Sequence, residues 1–184
     1  MRDIIIQGIG FIAAGLLIGS FQIKQSRKMF FFQMCSGITY VIHYYLLGAL
    51  AGSGNQFCAI MTGFVYSNHG KKWADWRGWP VVLVLMDAVA AVLTWQNIMS
   101  IIPFIGTAAG IISGAKGNGK HVRLANLFVC CPFWMIYSFY SHSIAGVLCE
   151  LFIICSILIS VLRYGWKALD GDGEGPIDQS TQEN

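Results

Sequence analysis

Seven long apolar stretches follow one another along the chain, and the short segments between them carry most of the Lys and Arg residues. A helix needs about 20 mostly apolar residues to cross the hydrocarbon core of a membrane. The third stretch is the most polar, because Gly52-Ser53-Gly54-Asn55-Gln56 lies near its start, and the fourth is the shortest. The pattern predicts an all-α membrane protein with seven transmembrane helices, at residues 4–21, 29–47, 50–66, 80–95, 98–115, 122–140 and 143–163.

Composition supports the same interpretation. Hydrophobic residues make up 55% of the 184 residues and charged residues only 11%, whereas a soluble domain is typically about 25% charged. The segments between the apolar stretches are too short to hold a separate soluble domain. The formal net charge of +3 is small and spread over the chain, so it does not predict a nucleic-acid-binding surface.

The six cysteines lie in apolar stretches and show no Cys-x-x-Cys spacing. We interpret them as small hydrophobic residues, and we expect no metal and no cofactor. The apolar stretches contain neither HExxH nor GxSxG, so we expect no enzymatic activity. The first stretch lacks a small-x-small cleavage site and is expected to be a membrane span, not a signal peptide. The cysteines are Cys35, Cys58, Cys130, Cys131, Cys149 and Cys155.

Lys and Arg residues indicate the orientation of the predicted helices. Eleven of the twelve lie after the first, third, fifth or seventh helix or beside those loops, and only Arg2 lies on the other side. Because positively charged loops stay in the cytoplasm, the N-terminus is predicted to be outside and the C-terminus inside. The acidic, Gly-rich segment 164–184 is predicted to be a disordered cytoplasmic tail. The eleven are Lys24, Arg27, Lys28, Lys71, Lys72, Arg77, Lys116, Lys120, Arg123, Arg163 and Lys167.

The two halves of the chain are similar in sequence. Residues 13–19 match residues 108–114, and residues 42–52 match residues 136–146, at offsets of 95 and 94 residues. Helices one to three are therefore expected to repeat as helices five to seven, and helix four links the repeats and keeps them parallel. The predicted units are a first three-helix repeat (1–66), a basic cytoplasmic loop with the linker span (67–96), a second three-helix repeat (97–163) and the tail (164–184).

Three segments carry a resemblance to known proteins: His43-Tyr44-Tyr45-Leu46-Leu47-Gly48, Pro103-Phe104-Ile105-Gly106-Thr107, and Ser143-Ile144-Ala145-Gly146 followed by Glu150. They resemble a bacterial inner-membrane protein family called YgjV. The arrangement of three, one and three helices, with an outside N-terminus, is similar to the SWEET, MtN3 and PQ-loop superfamily. These resemblances imply a bacterial inner-membrane location, two parallel repeats and a substrate site between them. The YgjV resemblance implies a fold, not an activity.

Polar side chains inside a membrane are costly unless they are paired or hydrated, so they indicate candidate functional sites. Glu150 is the only acidic residue in the predicted spans of the two repeats, and the 94-residue offset pairs it with Gln56. In SWEET-like transporters an aromatic or small residue and an amide from each repeat form the pocket, and the resemblance implies the same here. The predicted substrate-binding residues are Tyr40, His43, Asn55, Gln56, Trp134 and Glu150.

Each candidate also has a purely structural alternative. Glu150 could be a partner of His43 or of a backbone group, and His43 could be an ordinary hydrogen-bonded histidine near the interface. Tyr40 and Trp134, which the same offset pairs, could be packing aromatics. Asp87, the acidic residue in the linker helix, is expected to make a structural or oligomer contact.

SWEET and PQ-loop proteins have a hinge-region proline in both halves. Here the two hinge prolines occur only in the second half, and the chain contains no Pro-Gln dipeptide. Glycine would then supply the flexibility of the first half. The predicted hinge residues are Gly37, Pro103 and Pro132.

The expected function is that of a transporter or facilitator for a small polar metabolite, which works by rocking of the two repeats. Glu150 stands where the sugar-binding pattern has an amide, which favours proton coupling or a cationic or amine-bearing solute. A non-transporting receptor or assembly protein of the same fold is the alternative. The expected partners are membrane lipids, the solute and a second copy of the chain.

Reporter fusions or cysteine accessibility test the predicted orientation. We expect Asn68, Gly117 and Asn184 to face the cytoplasm, and Gly48 and Ser141 to face the periplasm, because of the eleven-to-one Lys and Arg bias. A reporter at Asn184 that scores as periplasmic would contradict the seven-helix prediction.

Overall fold

The computed structural model describes residues 2–115 and 117–168, and every regular element in this part of the chain is a helix. The prediction of an all-α protein is therefore confirmed. Lys116 and residues 169–184, which include most of the predicted tail, lie outside the described residues. The seven helices of the described part are α1 (Arg2–Ser20), α2 (Ser26–Leu46), α3 (Leu50–Ser67), α4 (Trp79–Leu93), α5 (Ile101–Gly114), α6 (Gly119–Tyr140) and α7 (Ile144–Ala168).

These helices begin and end close to the predicted spans. α5 follows a 3₁₀ turn at Ile98–Ser100, and the two together cover the predicted fifth span. α7 continues to Ala168, beyond residue 163, where the seventh span was predicted to end. Its helical geometry is interrupted at Gly165, where φ is 72°.

Length and composition identify three helical segments of the described chain that could cross a membrane: Asp3–Ser20, Gly119–Tyr140 and Ile144–Gly165. α4 and the segment Ile98–Gly114 are apolar but shorter. α2 and α3 are long enough but contain more amide and hydroxyl side chains. Many large apolar side chains are exposed on the outside of the bundle, where lipid would cover them.

Six of the helices form a closed ring. α1 contacts α2, α2 contacts α3, α3 contacts α5, α5 contacts α6, α6 contacts α7, and α7 contacts α1. α4 packs against α3 and α5. The helices α1–α3, the first triplet, therefore contact one another in the same order as α5–α7, the second triplet.

The two ends of the bundle differ in charge. The loops at residues 21–25 and 68–78, together with the starts of α2 and α6, carry most of the Lys and Arg residues of the described chain, and we call this the basic end. The turns at residues 47–49, 94–97 and 141–143 contain no Lys, Arg, Asp or Glu, and we call this the neutral end. These turns meet around one pocket.

A fully buried arginine joins the two triplets at the basic end. Arg123 in α6 donates from one guanidinium nitrogen to the backbone oxygens of Phe21 and Ile23, both at 3.0 Å. Its other terminal nitrogen donates to a carbonyl of its own helix. α1 ends at Ser20, so the two accepting carbonyls lie just beyond its C-terminus, where the helix dipole favours a cation.

α6 contains one π-helical segment, Asn126–Cys130, just before Pro132. Proline has no N–H, so in an unbroken α-helix one carbonyl of the preceding turn would lack a partner. The N–H of Cys131 donates to the backbone oxygen of Asn126, which is the five-residue spacing of a π-helix. Such segments are frequent at functional sites. This one borders the cavity described below.

Asp75 organises the loop between α3 and α4. His69 Nδ1 and the Gly70 N–H both donate to its carboxylate, at 3.0 Å and 2.9 Å. The hydrogen bond from His69 is the main reason that the pKa of Asp75 lies below its usual value. The nearby Trp73 and Trp79 rings are in edge contact, as expected for aromatic residues at a membrane interface.

Arg123→Met should destabilise the protein by about 3 kcal/mol, because the charge-assisted hydrogen bonds are lost and two backbone carbonyls lose their partner. Arg163→Met is the matched control, since Arg163 is exposed and lies over the Tyr164 ring. Thermal unfolding in mild detergent measures the difference. Equal stability of the two variants would show that the buried arginine does not hold the triplets together.

Candidate functional site

The six helices of the ring line a cavity of about 130 Å³. Each helix of both triplets contributes side chains to its wall, whereas no residue of α4 does. An apolar cavity of about 150 Å³ is known to hold benzene, so in this conformation there is room for a solute of about six heavy atoms.

The lining residues follow helical spacing. Residues three or four apart lie on one face of a helix, so one face each of α2 and α6 borders the cavity. The lining residues of these two helices include Gln33, Ser36, Tyr40 and Tyr44 on α2, and Asn126, Cys130 and Trp134 on α6.

Several polar groups of the cavity have no partner within the protein. The side-chain amides of Gln33 and Gln56 make no hydrogen bond with another described residue. The Thr107 Oγ1 is buried and lacks a partner in the described part of the chain. The Tyr40 hydroxyl is buried beside the thiol of Cys149 and forms no hydrogen bond with a nitrogen or oxygen atom there. Since unpaired polar groups are costly in an apolar interior, such a set is typical of a site that binds water or a polar solute.

Glu150, on α7, lines the same cavity. The thiol of Cys131 lies beside the Glu150 carboxyl group. The Glu150 carboxyl group does not pair with His43. His43 Nδ1 lies 2.9 Å from the backbone oxygen of Ile6, and His43 Nε2 lies 2.8 Å from Ser143 Oγ. The structure therefore does not contain the Glu150–His43 pair that was considered as a structural alternative.

Four of the six predicted substrate-binding residues line the cavity together, and two do not. His43 is fully buried near the neutral end, in the hydrogen bonds just described. Asn55 is fully buried as well, and its Nδ2 donates to the backbone oxygen of Ala51, one turn earlier in α3. Substrate binding stays a prediction for all six. The four lining residues are Tyr40, Gln56, Trp134 and Glu150.

The three predicted hinge residues have different surroundings. Gly37 lies where α2 closely approaches α3, since a Cβ there would be 3.0 Å from Ile60 Cγ1. Pro103 is in the first turn of α5, where a helix tolerates proline without bending. Pro132 follows the π-helical segment, so it is the one that accompanies altered helix geometry. Hinge motion at these positions stays a prediction.

Asp87 is not part of the cavity wall. It is fully buried in α4, beside the thiol of Cys58 in α3. Neither carboxyl oxygen of Asp87 forms a hydrogen bond with a nitrogen or oxygen atom of the described residues. Burial within a single chain favours the structural contact over the oligomer contact.

Sequence reasoning missed Gln33 and Thr107 as cavity residues. A signal existed for Gln33, because it precedes Tyr40 by seven residues and so lies on the same face of α2. Thr107 carries no comparable signal, since a threonine in a helix commonly bonds to its own backbone. The Thr107 hydroxyl forms no such bond, and this is seen only in the tertiary structure.

Comparison with known proteins identifies one family. Residues 4–167 match the sequence model of the family Imp-YgjV, which is described as a bacterial inner membrane protein. No curated protein and no solved structure matches the chain. The match covers all seven helices except the last residue of α7 and the first two of α1.

Two glycines one turn apart on α5 test the packing of the cavity wall. A Cβ at Gly106 would lie 2.8 Å from Trp134 Cδ1, whereas a Cβ at Gly110 would lie 3.9 Å from Cys130 Sγ. Gly106→Ala should therefore displace the indole and destabilise the protein by about 1–3 kcal/mol. Gly110→Ala should be neutral or stabilising by up to about 1 kcal/mol. Thermal unfolding in detergent compares them, and equal losses of stability would contradict the described position of Trp134.

Proposed function

We propose that this chain, which belongs to the Imp-YgjV family of bacterial inner membrane proteins, is a transporter or facilitator for a small polar solute. The observation that carries the proposal is the central cavity, whose wall comes from both triplets and includes polar side chains without a partner. If the bundle needed only to be stable, apolar side chains in this space would serve better, because unpaired polar groups are costly there. The cavity therefore favours a bound polar solute.

The order of the helices supports two three-helix repeats around this cavity. The contacts follow the same order in both triplets, and the predicted linker α4 packs beside α3 and α5 without reaching the cavity. Two such units can rock against each other around a site that lies between them, as in transporters built from parallel repeats.

The chemistry of the wall favours a solute with a cationic or amine group. Glu150 supplies a carboxyl group, Gln56 an amide, and Tyr40, Tyr44 and Trp134 aromatic rings. Carboxylates form strong hydrogen bonds with ammonium groups, and aromatic faces attract cations. A volume of about 130 Å³ favours a small amine over a hexose, because the space suits about six heavy atoms.

Proton coupling is the second part of the proposal. A carboxyl group at Glu150 can bind a proton when the cavity opens to one side of the membrane and release it when the cavity opens to the other. The equivalent residue of the first repeat, Gln56, has an amide and cannot do so. Glu150 would then link the flux of solute to the pH gradient across the membrane.

Uptake into proteoliposomes tests both parts. We expect at least one member of a radiolabelled panel of small amines, amino acids and sugars to accumulate, at a rate that depends on an imposed pH gradient. Glu150→Gln is nearly isosteric and should leave the fold intact. It should lower uptake of an amine at subsaturating concentration about tenfold, because a charge-assisted hydrogen bond is lost, and should weaken the pH dependence.

Asp87→Asn is the matched control, since it neutralises a buried carboxyl group outside the cavity and should keep the pH dependence of the wild type. Wild-type uptake and pH response in Glu150→Gln would contradict the role of Glu150. Thermal stabilisation by a member of the panel without any flux would favour the receptor over the transporter.

A further inference from the structure

A second pocket, of about 340 Å³, lies at the neutral end between the three turns, and we call it the vestibule. Aromatic side chains line both pockets where they approach each other. Tyr137 lines the vestibule, whereas Tyr44 and Trp134 line the cavity. The Tyr137 ring centroid lies 6.0 Å from the centroids of both other rings, so the three rings are in contact between the two pockets.

Tyr137 is attached to the opposite triplet. Its hydroxyl accepts a hydrogen bond from the Gly52 N–H at 2.8 Å, which joins α6 to the start of α3. The contact is close, because a Cβ at Gly52 would lie 2.7 Å from Tyr137 Cε1 and 3.0 Å from Tyr44 Cγ. Only glycine at this position leaves space for the ring.

The equivalent residues of the other repeat form an equivalent link. The 94-residue offset pairs Tyr137 with His43 and Gly52 with Gly146. His43 Nε2 lies 2.8 Å from Ser143 Oγ, which accepts a hydrogen bond from the Gly146 N–H at 3.0 Å. Histidine is shorter than tyrosine, and the serine hydroxyl bridges the remaining distance. This link joins α2 to the start of α7.

A third contact lies between equivalent residues themselves. The Tyr44 hydroxyl and Ser138 Oγ are 2.8 Å apart, and the same offset pairs these two residues. Equivalent residues of two repeats can touch only where the repeats meet. All three contacts are buried, and together they close the neutral end between the two triplets.

These links can break without damage to any helix. Gly52 and Gly146 are each the third residue of their helices, and the first four N–H groups of a helix have no partner within it. The links to the backbone therefore use groups that the helices leave free. Opening this end would cost side-chain hydrogen bonds but no helical hydrogen bond.

We propose that the two copies of the repeated segment, residues 42–52 and 136–146, form the gate between the vestibule and the cavity, and that the Tyr137 side chain moves to let a small polar solute pass. The role of this barrier in transport rests on the proposed function, whereas its existence as a barrier does not.

The native thiol of Cys130, which lines the cavity, reports whether the gate is closed. A small, charged, membrane-impermeant methanethiosulfonate is added to vesicles in the orientation that exposes the neutral end, as marked by Ser141→Cys in a parallel sample. Mass spectrometry of the Cys130 peptide measures the rate of labelling without removal of the other cysteines.

Tyr137→Phe keeps the ring and removes the link to Gly52, so it should speed the labelling of Cys130 about fivefold, the effect of losing one hydrogen bond from the closed state. Tyr137→Ala also removes the ring and should speed it further. Tyr140→Ala is the matched control, because Tyr140 lines the vestibule but is outside the three contacts, and it should label like the wild type.

Equal labelling in the wild type and both Tyr137 variants would overturn the gate, as would rapid labelling of the wild type or an equal increase in Tyr140→Ala. Tyr137→Phe covers the case in which Tyr137→Ala does not fold. Labelling needs no transport, so faster labelling in a protein that moves no solute would support the barrier and count against the proposed function. Solute uptake together with unchanged labelling would support the proposed function and count against the barrier.

Discussion

A helix bundle in lipid has no water between its helices, so each polar group inside it must find a partner in the protein. This constraint arranges the described polar residues into three zones. At the basic end Arg123 binds carbonyl groups beyond α1. At the neutral end His43 and Tyr137 bind groups of the facing triplet. In the middle zone the six helices surround a cavity, and polar side chains without such a partner, among them Thr107, line its wall.

The two ends use the same physical principle with opposite polarity. A helix leaves its first N–H groups and its last C=O groups without partners. The basic end pairs carbonyls just beyond the C-terminus of α1 with the Arg123 cation, and the neutral end pairs the N–H of Gly52 with the Tyr137 hydroxyl. Both attachments therefore join the triplets through groups that the helices do not use, which lets the triplets separate while each helix stays whole.

The helices of the two triplets contact one another in the same order, but the triplets differ in chemistry. α2 is α-helical throughout, whereas its counterpart α6 contains the π-helical segment before Pro132. Gln56 in the first triplet corresponds to Glu150 in the second. The second triplet thus contributes the one ionisable carboxyl group of the described cavity wall and the irregular backbone next to it.

Much of this was determined by the amino-acid sequence alone. Seven helices follow from the seven apolar stretches, because a helix can satisfy its own backbone hydrogen bonds wherever it lies. The 94-residue offset paired Tyr40 with Trp134 and Gln56 with Glu150, and all four line one cavity. A repeated sequence folds into repeated helices, so equivalent positions point toward the same interface.

The tertiary structure alone decided which polar residues face the cavity and which form hydrogen bonds between the two triplets. His43 was a candidate for substrate binding, yet its partner Ser143 lies 100 residues away in the chain. Arg123 was counted among the loop cations, but the end of α1 surrounds it with carbonyl groups. The sequence shows that a polar group must be satisfied. Whether a helix end, another side chain or a solute satisfies it depends on how distant helices pack, because hydrogen bonds form only over a few ångströms.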